Sequence, residues 1–331
     1  MKRRSSLAQL AFAALLAPQL MFTAKLIAAE GPALRGVHNA LGGTMAPVFV
    51  AQELGLFTKH GLEHSLQYIA ATTAVQALAA GSEEIGLVGN QCVDVALEGA
   101  DTVYIAATAA RFIFQLYGDP AIKTVTDLKG KVIAATQPAA STDYAARILL
   151  RKYGLVPDKD VKIIYAGSSP ALLSMLKAGN AVAGLINAPA IYQARELGMK
   201  QIVNVTELNI PFIFVAVCTT RRVIQQKPEA ITRYLRAYTE AISIILRDKE
   251  TALKIMAKYM KMDNRQWVEA VYNDVAGVLQ RMPYMTKLEV QAVLDIVKNP
   301  KGTQVKPDDL FDNSFLQRLE FSGFINSLYA R

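Results

Sequence analysis

Short apolar runs alternate along this chain with stretches in which apolar residues return every third or fourth position, the pattern of strands alternating with helices. Leu128–Gly154 shows it most clearly. Lys131–Ala135 predicts a buried strand, Thr136–Ala140 a small polar loop, and Tyr144, Ala145, Ile148 and Leu149 share one face of a following helix. Ser141 is the expected N-cap, Asp143 falls in the first turn, and Gly154 with Pro157 beyond it ends the helix. Such a loop aims unpaired N–H groups and the positive end of a helix dipole at one spot, which suits an anion or a carboxylate.

The same unit recurs. Leu34–Ala40 predicts a strand, and Leu41–Pro47 a turn opening a helix that ends at Gly55. His64–Ile69 predicts a second strand, followed by a helix to Ala80 in which Thr73 and Gln76 have capping-box spacing. Ile85–Val88 is a third strand ending in Gly89-Asn90-Gln91, with a short helix at Cys92–Glu98 and a strand at Thr102–Ala107. Val161–Tyr165, a helix capped by Ser169 and opened by Pro170, Gly179, and Val182–Ile186 ending in Asn187 repeat this order. Gln67–Asn90 and Ile164–Asn187 therefore read as corresponding parts of two similar α/β halves, with chance likeness between two ordinary βαβ units as the alternative. Arg111–Tyr117 and Pro211–Val217 both read as strands. They are either the pair that crosses between two lobes or core strands of one long sheet. Past Arg221 the pattern turns helical, at Pro228–Arg247, Thr251–Met260, Asn264–Gln280, Thr286–Lys298 and Ser314–Tyr329. The stripe Trp267, Val268, Val271, Val275 and Leu279 reads as core.

Composition narrows the class. With 331 residues the chain has room for two domains, and 52% apolar against 19% charged residues fits a packed α/β protein rather than a disordered one. Lys2, Arg3 and Arg4 precede an apolar, alanine-rich Leu7–Phe22 with Ala28 and Ala29 ahead of Glu30, the layout of a secretory signal peptide over residues 1–29. Removing it takes Lys2, Arg3, Arg4 and Lys25, leaving 32 basic against 28 acidic residues, a net +4 in place of +8. That charge is mild and unclustered, so nucleic acid is not an expected partner. Cys92 and Cys218 lie in apolar, strand-like contexts and are expected as two small buried residues, with a disulfide as the alternative in an exported protein. Two cysteines and His38, His60 and His64 make no zinc pattern, so no metal or cofactor is expected. No dinucleotide-binding glycine motif, phosphate loop or nucleophile elbow occurs. His38, the histidine nearest the expected cleft, reads as structural. Binding outweighs catalysis.

The segments GGTMAPVFVAQELGLFTKHGLE (42–63), AVQALAAGSEEIGLVG (74–89), DLKGKVIAATQPAASTDYAARILLRKYGL (127–155) and LLSMLKAGNAVAGLINAP (172–189) resemble the NMT1/THI5-like family, which includes nitrate, sulfonate, taurine and thiamine-precursor binders of ABC importers. PYMTKLEVQAVLDIV (283–297) and SFLQRLEFSGFINSLY (314–329) are similar too. The resemblance implies an α/β, two-lobed periplasmic binding protein of type II-like architecture. Lobe one would be 30–113 plus 215–331, with the C-terminal helices packed on it, and lobe two 114–214, joined by two hinge strands. It implies a periplasmic monomer that holds a small-molecule ligand, an anionic or polar organic one, between the lobes and delivers it to an ABC transporter permease, with no catalysis. An exported sensor, or an enzyme of the pyrimidine-synthase type on the same fold, is the alternative. Carried over position by position, the ligand-facing residues would be Thr44, Met45, Thr72, Thr73, Asn90 and Gln91 from lobe one. Lobe two would add Ala140, Ser141, Thr142, Asn187 and Pro189. Met45, Phe112 and Phe214 would line an apolar side, and Arg111 would supply charge, with an exposed strand-edge arginine as its competing reading. Two departures stand out. Many relatives carry Gly where this chain has Ala139, which weakens the case for a tightly held oxyanion, and many carry Asp where it has Val182.

Overall fold

The computed structural model describes residues 32–69, 71–297 and 299–330, so the expected leader at 1–29 lies outside the described residues. Strands in chain order are β1 (Ala33–His38), β2 (Glu63–Tyr68), β3 (Ile85–Val88), β4 (Thr102–Arg111), β5 (Gln115–Gly118), β6 (Val132–Ala135), β7 (Lys162–Tyr165), β8 (Ala183–Ile186), β9 (Lys200–Asn204) and β10 (Pro211–Thr220). They form two five-stranded sheets, ordered β2-β1-β3-β10-β4 and β7-β6-β8-β5-β9. In the first, β1 runs parallel to β2 and β3 while β10 lies antiparallel between β3 and β4. In the second, β6 runs parallel to β7 and β8 while β5 lies antiparallel between β8 and β9. The two orders are the same once β7, β6, β8, β5 and β9 are set on β2, β1, β3, β10 and β4. The internal repeat read from Gln67–Asn90 and Ile164–Asn187 is thus a repeat of sheet topology.

Helices between the strands are α1 (Ala46–Glu53), α2 (Leu56–Lys59), α3 (Ala71–Ala80), α4 (Gln91–Leu97), α5 (Ser141–Lys152), α6 (Ser169–Lys177) and α7 (Ala190–Glu196). The C-terminal helices are α8 (Arg221–Gln226), α9 (Pro228–Arg247), α10 (Lys249–Met260), α11 (Arg265–Ala276), α12 (Lys287–Leu294), α13 (Ser314–Phe321) and α14 (Phe324–Ser327). Tyr234, Leu235, Tyr238 and Ile242 of α9 share one buried cluster with Phe49 of α1, Leu87 of β3 and Val217 of β10, which seats the helical tail on the first sheet. Apolar side chains at helical spacing drive this packing.

The chain leaves the first sheet at Arg111 and returns at Pro211, and these two residues pair across β4 and β10. The expected strand Arg111–Tyr117 is in fact broken: residues 112–114 carry no ladder, and β5 starts at Gln115. Strand pairing stops there because Phe112 turns inward to stack on Phe212, ring centroids 4.2 Å apart, and Phe114 meets Phe214 edge-on. The Phe114 carbonyl accepts from the N–H groups of Val205 and Thr206 on the returning segment. The expectation of two unpaired cysteines is also corrected. Cys92 of α4 and Cys218 of β10 are joined in a disulfide across 126 residues of sequence. The insertion of β10 beside β3 brings them together, and no local pattern encodes that. Among the described residues, no helix is long and apolar enough to cross a membrane.

Candidate functional site

In open α/β sheets the loops after parallel strands form the binding crevice. Here elements that follow the parallel strands of the two sheets approach one another at two places. On one flank, Tyr192 of α7 stacks on Trp267 of α11, centroids 5.9 Å apart and planes 18° apart. Ala188, just after β8, joins the buried cluster that contains Met45. Gly43 packs so closely on α11 that a methyl group there would lie 2.2 Å from Val271. On the other flank, α4 faces α5 across a cavity.

The start of α4 carries unsatisfied side chains. Asn90 is 1% exposed, yet neither its Nδ2 nor its Oδ1 has a protein partner. It occupies the N-cap position of α4 without capping it. The Oε1 of Gln91 and the Oε1 of Gln115, at the start of β5, are likewise buried and unpartnered. Buried amides cost about 1–3 kcal/mol each when left unpaired, so Asn90 and Gln91 at the start of α4 are candidate ligand contacts. Gly89 allows the close approach: a methyl there would lie 2.8 Å from Gln91 Oε1 and 3.0 Å from the Phe214 carbonyl oxygen. The turn is braced from below, where the Tyr104 hydroxyl donates to the Gly89 carbonyl (2.8 Å) and Thr102 Oγ1 to the Cys92 carbonyl (3.0 Å).

On the second lobe the loop 136–142 is held by its own side chains. Thr142 Oγ1 accepts from the Thr136 N–H (3.0 Å) and bonds the Thr136 hydroxyl (2.6 Å). Asp143 accepts from the Ala139 N–H (3.0 Å), from Arg147 Nε (2.8 Å) and from the Tyr165 hydroxyl (3.1 Å). The N-cap of α5 is Ala140, not Ser141, because Thr142 and Asp143 stitch the loop one residue earlier than a serine cap would. Likewise Ser168, not Ser169, caps α6, accepting from the Ala171 N–H. The helix α3 starts at Ala71, so Thr73 lies inside its first turn rather than at a capping box. Ala139 has φ +57°, the left-handed region. That explains why glycine suits this position and predicts that Ala139→Gly stabilises the protein by about 1 kcal/mol, read as a higher midpoint in thermal unfolding.

The other expected site residues divide. Ser141, Ala140, Asn187 and Pro189 are half-buried at the helix starts of the second lobe, and Phe214 is half-buried among the core clusters beside Gly89. Thr44 is buried in the turn after β1. Met45 and Phe112 are each 1% exposed and packed in cores, so neither offers surface to a ligand in this conformation. Thr72 and Thr73 are exposed. Arg111 is turned away to a second depression: its guanidinium donates to Asn209 Oδ1 and to the Gly277 carbonyl, each at 2.7 Å. His38 sits between Phe49 and Tyr68 and its Nδ1–H donates to the Ala40 carbonyl (2.7 Å), which fixes the loop after β1. Burial holds its pKa below the usual histidine value.

The cavity between α4 and α5 has a volume of about 440 Å³. Its walls include Asp94 of α4 and Glu98 at its C-cap, and Tyr144, Arg147, Ile148 and Arg151 from α5. Asn90, Asp94 and Glu98 stand four residues apart and so share one face of the helix. Burial, with a smaller contribution from Glu98, pushes the Asp94 carboxyl up to about 6. None of Asp94, Glu98, Gln115 and Tyr192 was evident as a site residue in the sequence; the spacing of the first two was visible, but not the helix that faces them.

Comparison with known proteins agrees with this architecture. The family model described as NMT1/THI5 like matches residues 43–252. A binding protein of Brucella abortus (strain 2308) is 28% identical over 221 residues, covering 65% of this chain and 67% of its own. A protein of Brachyspira hyodysenteriae named as an ABC transporter periplasmic binding protein is 27% identical over 180 residues, 54% of this chain and 48% of its own. Among solved structures, the alkanesulfonate-binding protein SsuA from Xanthomonas axonopodis pv. citri, bound to MOPS, superposes with a TM-score of 0.68 at 20% identity, over 86% of this chain and 99% of that one.

Proposed function

The chain belongs to the NMT1/THI5-like family, and from that premise we propose that it is the periplasmic solute-binding component of an ABC importer. It captures a small polar organic ligand between its two sheets and presents the loaded form to a permease. The observation that carries this reading is Asn90, which follows β3 at the start of α4 and whose amide is buried with both ends unpartnered among the described residues. A ligand in the crevice supplies the missing donor and acceptor, and the closed arrangement gains contacts that an open one lacks. Ligand binding then shifts the population toward closure. The lobes would be hinged at residues 112–114 and 205–210, with β10 from Pro211 in lobe one rather than from residue 215, and the chain would act as a monomer.

Binding without transformation is the reading the side chains favour. Cys92 and Cys218 are consumed in the disulfide. The His64 ring is buried without a partner for either nitrogen, and burial lowers its pKa to about 4, which leaves it neutral and inaccessible.

A thermal-shift screen of small acids, sulfonates, amines and heterocycles, followed by calorimetry, tests the proposal, since a ligand raises the midpoint with its saturation. Ser141→Pro isolates the backbone donors. Ser141 is the first residue of α5 and Ala140 before it is extended at φ −77°, ψ 163°, so proline fits without strain. The variant is expected to keep the unfolding midpoint and to weaken the captured ligand by about tenfold, the loss of one hydrogen bond. Unchanged affinity would exclude this helix start from the site.

A further inference from the structure

We propose that the cavity between α4 and α5 receives a cationic group of the ligand, a protonated amine or quaternary ammonium on an apolar or aromatic body, with Asp94 and Glu98 as its counter-charges. The inference rests on the interlobe capture proposed above and adds the ligand's charge.

Arg147 is committed: its guanidinium donates to Asp143 (2.8 Å), Asp158 (2.7 Å) and the Tyr165 hydroxyl (3.0 Å). Asp143 is committed in turn to Arg147, the Ala139 N–H and Tyr165. What remains is Asp94 and Glu98 on the lobe-one wall, neither with an ion pair or a side-chain hydrogen bond among the described residues, and Arg151 in the last turn of α5, exposed and likewise unpaired among them. Two carboxylates four residues apart on one helix face repel each other, so the pair destabilises the empty protein. Arg151 across the cavity makes no ion pair with either of them among the described residues, whereas one bound cation would offset the repulsion. The opposite wall fits the rest of such a molecule: Tyr144 presents an aromatic ring and Ile148 an apolar side chain, and Ile296 closes the outer edge. A ring beside two carboxylates is a favourable setting for an ammonium group. Asn90, one turn before Asp94, adds a buried amide that is unpartnered among the described residues and available to a polar group of the ligand. The cavity volume of about 440 Å³ is that of a small-molecule site.

The test uses the exported chain and three probes that share one skeleton: phenethylamine, its N,N,N-trimethyl derivative, and 3-phenylpropionate, each titrated calorimetrically at pH 7.5. Both cations are expected to bind and the carboxylate to bind at least tenfold more weakly. Asp94→Asn is expected to weaken the amines about tenfold without lowering the thermal midpoint of the empty protein. The pH dependence checks the sign. Asp94 is surrounded by Glu98 on its own helix, Tyr104 on β4, Asp143, Tyr144, Arg147 and Arg151 on α5, and Tyr165 on β7. Its carboxyl is raised to about 6, so amine affinity is expected to fall as the pH drops through that value and the counter-charge takes a proton. The same raised value means the folded state disfavours the ionised form, so neutralising Asp94 at pH 7.5 relieves the empty protein. A structural carboxylate would behave in the opposite way. Equal or tighter binding of the carboxylate, amine affinity indifferent to both Asp94→Asn and Glu98→Gln, or no saturable amine binding at millimolar concentration would each overturn the inference. A neutral or anionic compound from the wider screen that binds with dependence on Asn90 would leave the capture reading standing and remove only this one.

Discussion

Removing the disulfide, by Cys92→Ala together with Cys218→Ala, is expected to cost about 3–5 kcal/mol of unfolding free energy. The bond closes 126 residues of chain, so its loss releases a large loop in the unfolded state. Both positions are buried, at 2% and 0% exposure, and alanine fits each with a small loss of volume, so most of the effect belongs to the cross-link. A second consequence is local. Cys92 lies in the first turn of α4, two residues from Asn90, and α4 has only seven residues. Without the bond, that helix is tied to the first sheet by its side chains Val93 and Leu97 and by the hydrogen bonds from Thr102 and Tyr104. Ligand affinity is therefore expected to drop along with stability. Denaturant unfolding of the wild type with and without reductant, beside the double variant, measures the first effect, and calorimetry with a captured ligand the second. A loss below about 1 kcal/mol would mean that the covalent link constrains the unfolded chain far less than its span implies.

The sequence made the periodic parts of this fold readable and left the rest obscure. The helix Pro228–Arg247 is bounded as its pattern predicts, because proline opens it and one apolar face runs its whole length. The corresponding halves were visible because glycine after each helix and asparagine after each third strand recur at matching places. Caps slipped by one residue at Ala140 and Ser168 because several hydroxyls stand in line and only tertiary geometry selects one. Lys200–Asn204 gives no strand signal because it is a largely polar sheet edge, and the strand before Gly118 reads as starting at Arg111 because Phe112 to Phe114, which carry no ladder, are as apolar as any strand. The disulfide depends on β10 inserting beside β3, a contact with no local signature. The site was half-legible for a similar reason. Asn90, Ser141 and Asn187 follow from the rule that parallel strands end at the crevice. Asp94 and Glu98 acquire meaning only once α5 is set opposite, and Phe112 and Arg111 lost theirs when the hinge turned one ring into the core and the guanidinium to the far side.

Asn90→Leu is expected to abolish ligand capture, by a hundredfold or more, while leaving the empty protein as stable as the wild type or more so. The two halves of this prediction come from one fact. The Asn90 side chain is 1% exposed and neither polar atom has a protein partner, so folding strips both of water and returns nothing. That desolvation costs about 1–3 kcal/mol per group. Leucine has nearly the same shape and carries no such cost. A buried asparagine kept for the fold would be bonded, most readily to the helix it precedes, and its removal would destabilise. With ligand present the balance reverses. The bound molecule satisfies the amide's donor and acceptor, and leucine then leaves the ligand's own polar groups buried and unpaired, a penalty on the order of two such groups or a factor of a hundred and more in affinity. Asn90→Asp is the control, since it keeps the acceptor, removes the donor and adds a charge one turn from Asp94, which lowers stability as well as binding. Thermal unfolding of the empty variants and calorimetry with a captured ligand separate the cases. A leucine variant that melts markedly lower than the wild type would place Asn90 in the scaffold and take away the observation on which the proposed function stands.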